Sequence, residues 1–482
     1  MEQPPPTANS PQWSGLNRDL LEKIAKCIDT RTDVLHFHAI CTTWRSSIPL
    51  PPKTSLPPLI KLPFPIGPNP RLNPKHRGHF TLKESTIFSI EPITKISTSY
   101  YYTTKTWLIK IEFLTASNEP NTKVLLKEPL SSFAFEGLNQ KLPKVLNLLD
   151  YKDSEVSKVC GLEFIAVGKN LDEIEFVGFH FIKINFIWHL PSKKKKNQSH
   201  LDFFPTATNS SPQTLLTSET LTRIRKVVVS DSKKDQDFAV MAVHTGAKLG
   251  VWKMGDKKWT NIDDGRERAL YDDAVYYKGK FYAVDITGLA ISVDSSMKIK
   301  KVVHPLPRFG FGHGGQFKYL VKSPDELFLV DKYYDVEREM FEDERLDFDS
   351  ESSDFPLYLM VYKLNEEECE WVKVESLGDL ALFVGDDCSF CVSVNDYVGC
   401  KANCVYFTED SFSKGGRDDY PGYDTGLFDL EDGTASPLSA FPGYSKVFWP
   451  PATWLKANSC SSGITAVTST FNQKLQITGH SP

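Results

Sequence analysis

The sequence lacks the features of a membrane, secreted or nucleic-acid-binding protein. No apolar run approaches the roughly 20 residues of a membrane-spanning helix, and Met1–Ser10 is Pro-rich and polar, without the apolar core of a signal peptide. The nine cysteines are scattered and odd in number, which is typical of reduced thiols. A net charge of -5 disfavours general binding to nucleic acid or acidic membranes. These absences predict a protein of the cytosol, the nucleus or both.

Recognisable catalytic motifs are also missing. The chain contains no G-x-S-x-G, no H-E-x-x-H and no P-loop, and no Cys/His pair has a setting that suggests a nucleophile. A triad assembled across distant strands would be invisible at this level. We therefore predict no catalytic residue and no cofactor.

What the chain does contain is a long series of short strand patterns. From about Gly78 onward, runs of four to eight β-branched and aromatic residues recur between turn signals, many with the period of two that half-buried strands show. The run "YYKGKFYAVD" carries Lys-Gly-Lys at a turn position and predicts a hairpin. The main exception is "KLPKVLNLLDY" (141–151), which has a helical pattern. The fold class predicted is mainly β.

A faint repeat refines this prediction. Residues 249–262 and 359–374 share one plan, in which an apolar strand is followed by a charged turn, a tryptophan (Trp259 or Trp371) and another strand. Residues 426–438 repeat the first half without a tryptophan. This plan is typical of the outer hairpins of β-propeller blades, of the kelch type in particular. Ordinary hairpins of a sandwich or barrel are the alternative.

The composition divides the chain into four parts. Residues 1–12 are predicted to be a disordered leader, 13–48 a small all-α unit, 49–77 a Pro-rich connector and 78–482 the large β domain. Prolines this frequent exclude helix and central strand, so the connector is expected to be extended, with its apolar residues docked on the β domain.

The helical unit is too small to be stable alone. Leu20 and Ile24 lie on one predicted helix face together with Cys27 and Ile28, and Asn17 is a suitable N-cap residue for that helix. Two or three helices of about ten residues bury too little apolar surface to fold firmly. Their apolar faces must therefore pack on the β domain, as a cap, or on a partner protein.

The residues of this unit resemble the F-box pattern, roughly L-P-x-D-L-L-x-x-I, an acidic residue and then V-C-x-x-W-R. The matching positions are Leu16, Leu20, Leu21, Ile24, Val34, Ile40, Cys41, Trp44 and Arg45. Asn17 stands where the family usually has proline, and both residues can begin a helix. The resemblance implies that these nine residues bind a Skp1-type adaptor of a cullin-RING ubiquitin ligase, with Leu20, Ile24 and Trp44 as the main anchors.

The β domain resembles that of the plant F-box proteins with a C-terminal DUF295 domain, the SKIP23-like group. Matching stretches run from 77–86 through 376–390 and 399–410. The resemblance implies a propeller-like domain that binds a target protein for ubiquitination and is not an enzyme. Two alternatives stay open: a β-propeller enzyme with its active site in the central channel, and a scaffold that binds the same adaptor without ubiquitination.

Two motifs suggest chemistry that we do not expect here. The stretch "GFGHGG" (310–315) fits G-x-G-x-x-G, but a dinucleotide site needs a helix after it, and a strand pattern follows instead, which predicts a loop entering a blade. Cysteines 388, 391, 400 and 404 approach a zinc-site spacing. Because the pattern around Cys388 and Cys391 is that of a strand, the two should point to opposite faces, and we expect no metal.

Two charged runs complete the pattern. "KKKK" (193–196) is read as a solvated loop, with a nuclear-import signal as the alternative. The acidic run 335–354 predicts a solvated surface insertion between two strands, with contact to a basic target as the alternative.

Overall fold

A computed structural model of the protein describes residues 15–26, 37–38, 40–47, 60–67, 78–92, 106–114, 123–131, 151–166, 224–231, 238–267, 269–309, 312–313, 315, 317–334, 357–397, 399–409 and 421–450. The predicted leader 1–12, the helical pattern 141–150, the lysine run 193–196 and the acidic run 335–354 lie outside the described residues. No helix within these ranges is long and apolar enough to span a membrane.

The described helices are few, and strands predominate. The α-helices are α1 (Arg18–Lys26) and α2 (Thr42–Ser47), and a 3-10 helix, Leu438–Ala440, follows the last strand. The strands are β1 (Lys61–Pro63), β2 (Gly78–Pro92), β3 (Trp107–Leu114), β4 (Lys123–Lys127), β5 (Tyr151–Ala166), β6 (Lys226–Val229), β7 (Ala239–His244), β8 (Lys248–Lys253), β9 (Thr260–Asn261), β10 (Tyr271–Tyr277), β11 (Lys280–Asp285), β12 (Ala290–Val293), β13 (Ile299–Val303), β14 (Arg308–Phe309), β15 (Gly312–His313), β16 (Phe317–Lys322), β17 (Leu327–Tyr334), β18 (Leu357–Asn365), β19 (Glu370–Lys373), β20 (Leu380–Val384), β21 (Ser389–Ser393), β22 (Cys404–Thr408), β23 (Thr425–Asp429) and β24 (Thr434–Pro437).

The strands form five blades around a centre. Counting outward, blade 1 is β6-β7-β8-β9, blade 2 is β10-β11-β12-β13, blade 3 is β16-β17-β18-β19, blade 4 is β21-β20-β22-β23-β24 and blade 5 is β5-β2-β3-β4. The inner strands β6, β10, β16, β21 and β5 contact one another in that order, and β5 returns to β6 through the pair Cys160–Val227. The described part of the chain is therefore a closed five-bladed β-propeller.

The hydrophobic core follows this ring. Five clusters of buried apolar side chains each lie between two adjacent blades, so that every blade has apolar residues on both faces. In blade 2, for example, Ala283 and Ile291 pack toward blade 1, whereas Val284 and Ala290 pack toward blade 3. Because successive residues of a strand point to opposite faces, strands buried on both sides read as continuous apolar runs.

The repeat in the sequence coincides with the outer hairpins. Residues 249–262, 359–374 and 426–438 form the last hairpins of blades 1, 3 and 4. The indole Nε1 of Trp259 donates to the carbonyl of Pro63 at 2.7 Å, and that of Trp371 donates to the carbonyl of Gly288 in blade 2 at 2.7 Å. Each tryptophan thus ties its blade to the preceding part of the ring. The β-propeller prediction is confirmed.

The predicted Lys-Gly-Lys hairpin is also present. β10 and β11 pair up to Tyr277 and Lys280. Lys278 and Gly279 both have positive φ, 45° and 81°, as a two-residue turn matching the strand twist requires.

The connector contributes one strand to the propeller. β1 pairs with β2, and Ile60, Leu62 and Ile66 are buried between blades 5 and 1. At the other end of the described chain, Val447 and Phe448 pack between blades 4 and 5, where the amide of Leu108 donates to the carbonyl of Val447 at 2.9 Å. Both segments lie across blade boundaries and hold blade 5 in the ring.

Candidate functional site: the helical unit and the channel mouth

The first helix begins where the sequence predicts. α1 starts at Arg18, and the carbonyl of Asn17 accepts the amides of Leu20 and Leu21 at 3.0 and 3.1 Å. Asn17 is therefore the residue that opens the helix. In its first turn, Asp19 adds the negative charge that the helix dipole favours.

The helical unit has a small core of its own. Leu21, Phe37 and Trp44 are buried together, and the rings of Phe37 and Trp44 are 4.5 Å apart between centroids. Leu16 and Cys41 pack against this cluster and are half-buried. Trp44 therefore holds the helices to each other, and in this structure it does not lie on the exposed surface of the unit.

Three of the predicted apolar residues are exposed. Leu20 is 49% exposed, Ile24 39% and Ile40 52%. Leu20 and Ile24 are four residues apart on α1 and so share one helix face. Large aliphatic side chains exposed this far are most stable when a partner covers them. These residues form what we call the docking face: Leu20, Ile24 and Ile40.

The remaining predicted residues have different surroundings. The Arg45 guanidinium donates through Nε to the carbonyl of His38 at 3.1 Å and so joins α2 to the helical residues 37–38 that precede it. Val34 lies outside the described residues. Contact of any of the nine residues with an adaptor stays a prediction.

A cluster of ion pairs lies where the inner strands of the propeller begin, a region that we call the channel mouth. Arg225, just before β6, pairs with Asp272 of β10 at 2.9 Å, and Lys226 pairs with Asp273 at 3.1 Å. The other carboxylate oxygen of Asp273 accepts the amide of Leu320 in blade 3 at 2.9 Å. Two adjacent aspartates thus connect three blades.

Two further buried ion pairs lie near this cluster. Lys318 and Asp331 are cross-strand neighbours in blade 3, with 3.3 Å between Nζ and Oδ1 and neither side chain exposed to solvent. Lys110 of blade 5 contacts both oxygens of Asp387 in blade 4, at 2.8 and 2.9 Å. Burial would raise the pKa of Asp387, but the Lys110 ammonium lowers it below its usual range.

At Asp272, burial and a neighbouring positive charge shift the pKa of the carboxyl group in opposite directions. Desolvation raises its pKa to about 6 despite the opposing attraction of Arg225, and its Oδ2 has no hydrogen-bond partner among the described residues. The carboxylates of Asp273, Asp331 and Asp387 are each paired with a lysine, and those of Asp273 and Asp331 also accept backbone amides, which favours a structural role over that of a general base. These ion pairs were not predicted from the sequence. The local signal for them was the pair of adjacent aspartates in "YDDAVYY" (271–277).

The "GFGHGG" stretch has a packing role. β14, just before this stretch, pairs with β15 inside it, and the strand β16 follows, as predicted. The amide of Gly315 donates to both oxygens of Asp331 at 2.9 Å, and a Cβ on Gly315 would lie 2.2 Å from the carbonyl oxygen of Lys332. Glycine is needed here because the backbone of blade 3 approaches so closely.

Replacing Gly315 by alanine should therefore lower the free energy of unfolding by about 1–3 kcal/mol, because overpacking against backbone cannot be relieved by a rotamer change. Urea denaturation of the purified protein measures the change. Gly255→Ala, at a site with no atom within 4 Å of the added Cβ, is a control for the loss of a glycine, although its positive φ adds strain of its own. An unchanged midpoint for Gly315→Ala would contradict the packing role.

The cysteines at positions 388, 391, 400 and 404 do not all lie on one side of blade 4. The thiol of Cys388 donates to the carbonyl of Pro129 in blade 5 at 2.9 Å, whereas that of Cys391 donates to the carbonyl of Lys322 in blade 3 at 3.3 Å. The two side chains therefore point to opposite faces of blade 4, as predicted. Burial raises the pKa of Cys388, Cys400 and Cys404 to about 12. Among the described residues, no group of three or more possible ligands could hold a metal ion.

Comparison with known proteins agrees with this architecture. The F-box protein SKIP23 of Arabidopsis thaliana is 28% identical over 93% of this chain and 96% of its own length. The F-box protein At2g17036 of the same organism is 26% identical over 92% and 94%. The F-box/kelch-repeat protein At1g64840 is 24% identical over 83% and 85%. Along most of its length the chain is therefore similar to plant F-box proteins.

The propeller itself identifies the family. Residues 76–429 match the KIB1-4 beta-propeller, and the chain belongs to that family. The match covers all five blades up to β23.

Proposed function

We propose that this protein is the substrate-recognition subunit of a Skp1-cullin-F-box ubiquitin ligase. The helical unit binds a Skp1-type adaptor through the docking face, and the propeller binds the target protein. The observation that carries the proposal is the exposure of Leu20, Ile24 and Ile40 on a unit whose described residues bury only three apolar side chains together. The names of the F-box relatives support the same role.

In this proposal the chain does no chemistry itself. Holding a target close to the ubiquitin-conjugating enzyme raises the effective concentration of its lysines, which accelerates transfer without a catalytic residue in the receptor. The ligase would act in the cytosol, the nucleus or both. A scaffold that binds the same adaptor without ubiquitination differs only in the fate of its partner, and ubiquitin transfer to a bound target distinguishes the two.

Adaptor binding is the direct test. The double variant Leu20→Asp/Ile24→Asp should lose at least about tenfold in affinity for a purified Skp1-type adaptor, because each aspartate places an unpaired charge in an apolar contact. Co-expression with the adaptor followed by size-exclusion chromatography, and calorimetry on the purified pair, measure the loss.

Glu22→Ala is the matched control. Glu22 is exposed on the same helix but on the opposite side from Leu20 and Ile24, and its 3.2 Å contact with Arg18 is an exposed pair of small value. Its affinity should equal that of the native chain. Failure of the intact protein to bind any Skp1-type adaptor, or full binding by the double variant, would exclude the proposed function.

A further inference from the structure

A lysine-rich surface lies on the outer rim of blades 1 and 2, away from the helical unit in sequence and outside the proposed adaptor contact. It is formed by the turn between β8 and β9 and by the turn and strand at β12–β13. We define the lysine surface by these residues: Lys253, Lys257, Lys258 and Lys301, around Met254.

The two turns form one surface because they touch. The ammonium of Lys253 donates to the carbonyl of Ser295, which joins the turn of blade 1 to that of blade 2. Lys257, Lys258 and Lys301 are all exposed. Four lysines are thus gathered at the rim of a protein whose net charge is -5, with Asp256 and Asp294 as the acidic residues of the two turns.

The two acidic residues of these turns accept hydrogen bonds from backbone amides. An Asp256 carboxylate oxygen accepts the amide of Lys253 at 3.1 Å, and Asp294 Oδ1 accepts the amides of Ser296 and Lys298 at 2.9 Å each. Hydrogen bonds, first of all from the Ser296 hydroxyl, lower the pKa of Asp294. These two aspartates shape the turns, whereas Lys257, Lys258 and Lys301 make no ion pair with any described residue.

Strand pairing determines which side of β13 belongs to this surface. Lys301 is opposite Ile291, and Ile291 packs toward blade 1, so Lys301 projects on the side of the blade 1 turn. Lys300 is opposite Ser292 and projects toward blade 3. Two adjacent exposed lysines on one strand therefore have different neighbours.

The surface also has an apolar centre and an acidic border. Met254 is 38% exposed and offers a flexible thioether side chain, a type found often at adaptable binding surfaces. On the blade 3 side, the turn before β19 contains Glu366, Glu367 and Glu368, and it contacts blade 2 where the amide of His304 donates to the carbonyl of Cys369. A long polyanion would meet this acidic turn and be repelled.

We propose that the lysine surface binds a short acidic segment of a protein partner, one that places carboxylates on the lysines and an apolar side chain on Met254. The surface complements an acidic segment about as long as the two turns, because the acidic turn of blade 3 would repel a longer anionic chain. Nucleic acid and anionic membranes fit less well, since each presents an extended anionic array to an acidic protein.

Peptide binding to the full-length protein tests this. A fluorescein-labelled ten-residue peptide of alternating glutamate and leucine, measured by anisotropy, should bind more weakly as salt rises, because exposed charges are screened. The triple variant Lys257→Glu/Lys258→Glu/Lys301→Glu should weaken binding by about tenfold or more at low salt. Lys300→Glu is the matched control and should bind as the native protein does, and melting temperatures should be equal for all three proteins.

Three outcomes would overturn the inference. The first is equal peptide affinity for the native protein and the triple variant. The second is an equal loss in Lys300→Glu. The third is tighter binding, lost in the triple variant, of a single-stranded oligonucleotide or of vesicles containing phosphatidylserine, which would assign the surface to that class of ligand. Adaptor binding measured on the triple variant should not change, so this result is independent of the proposed function.

Discussion

Replacing Lys318 by methionine is expected to lower the free energy of unfolding by about 3–5 kcal/mol, because it leaves a buried carboxylate without its partner. Lys318 and Asp331 are 3.3 Å apart and both side chains are completely buried. Only the amide of Gly315 would remain as a hydrogen-bond donor to Asp331 among the contacts described above. Urea denaturation at neutral pH measures the loss.

An exposed pair in the same blade is the matched control. Lys363 and Glu326 are 3.2 Å apart, but their side chains are 47% and 43% exposed. Lys363→Met should therefore cost less than about 1 kcal/mol. Similar losses in both variants would contradict the argument that burial decides the energy.

The loss in Lys318→Met should also depend on pH. Burial raises the pKa of Asp331 above its usual value, against the attraction of Lys318, and without Lys318 this pKa should rise further. A carboxyl group whose pKa is higher in the folded state binds more protons there, so its contribution to stability falls as pH rises from the unfolded to the folded pKa. The deficit of the variant should accordingly be smaller at about pH 5 than at pH 8, and a deficit equal at both pH values would exclude this cause.

Trp44→Ala is expected to unfold the helical unit while leaving the propeller intact. Truncating a buried tryptophan costs about 3–5 kcal/mol, and among the described residues of this unit Trp44 shares its buried core with only two other apolar side chains, Leu21 and Phe37. The unit shares none of the five clusters that hold the blades together. Hydrogen exchange read by mass spectrometry should show lost protection in 18–26 and unchanged protection in β7 and β17.

The exposed Leu20 gives the contrasting result. Leu20→Asp should keep the protection of 18–26, because a side chain that is 49% exposed contributes little to the internal core. Both variants should lose adaptor binding, Trp44→Ala by unfolding and Leu20→Asp by spoiling the contact. Since ligands stabilise the state they bind, excess adaptor should partly restore protection in Trp44→Ala alone. Loss of protection in Leu20→Asp would refute this division of roles.

The nine F-box positions illustrate how far sequence reasoning reaches. Their spacing is local, so the start of α1 after Asn17 and the shared face of Leu20 and Ile24 could be predicted. Burial is not local. Leu20 and Leu21 are neighbours in the same motif, yet one is exposed and the other is completely buried against Phe37 and Trp44. Which of the two faces inward depends on where the second helical segment returns, and that the pattern does not encode.

The propeller shows the same limit on a larger scale. Period-two patterns and the strand–turn–Trp–strand plan predict blades, because each hairpin is built from adjacent residues. Pairings between distant strands were beyond reach. In blade 4, β20 pairs in parallel with β22 while β21 takes the inner position, and nothing in "LALFVGDDCSFCVS" (380–393) indicates that order.

The sequence by itself thus determined that this protein is mainly β, that it begins with an F-box pattern and that its hairpins are of the propeller type. Only the tertiary structure decided the number of blades, the buried pairs Lys318–Asp331 and Lys110–Asp387, and the side of β13 on which Lys301 lies. The physical reason is separation along the chain. Ring closure joins the first blade along the chain to the last, as where the amide of Leu108 donates to the carbonyl of Val447, and such contacts arise only when all five blades pack together.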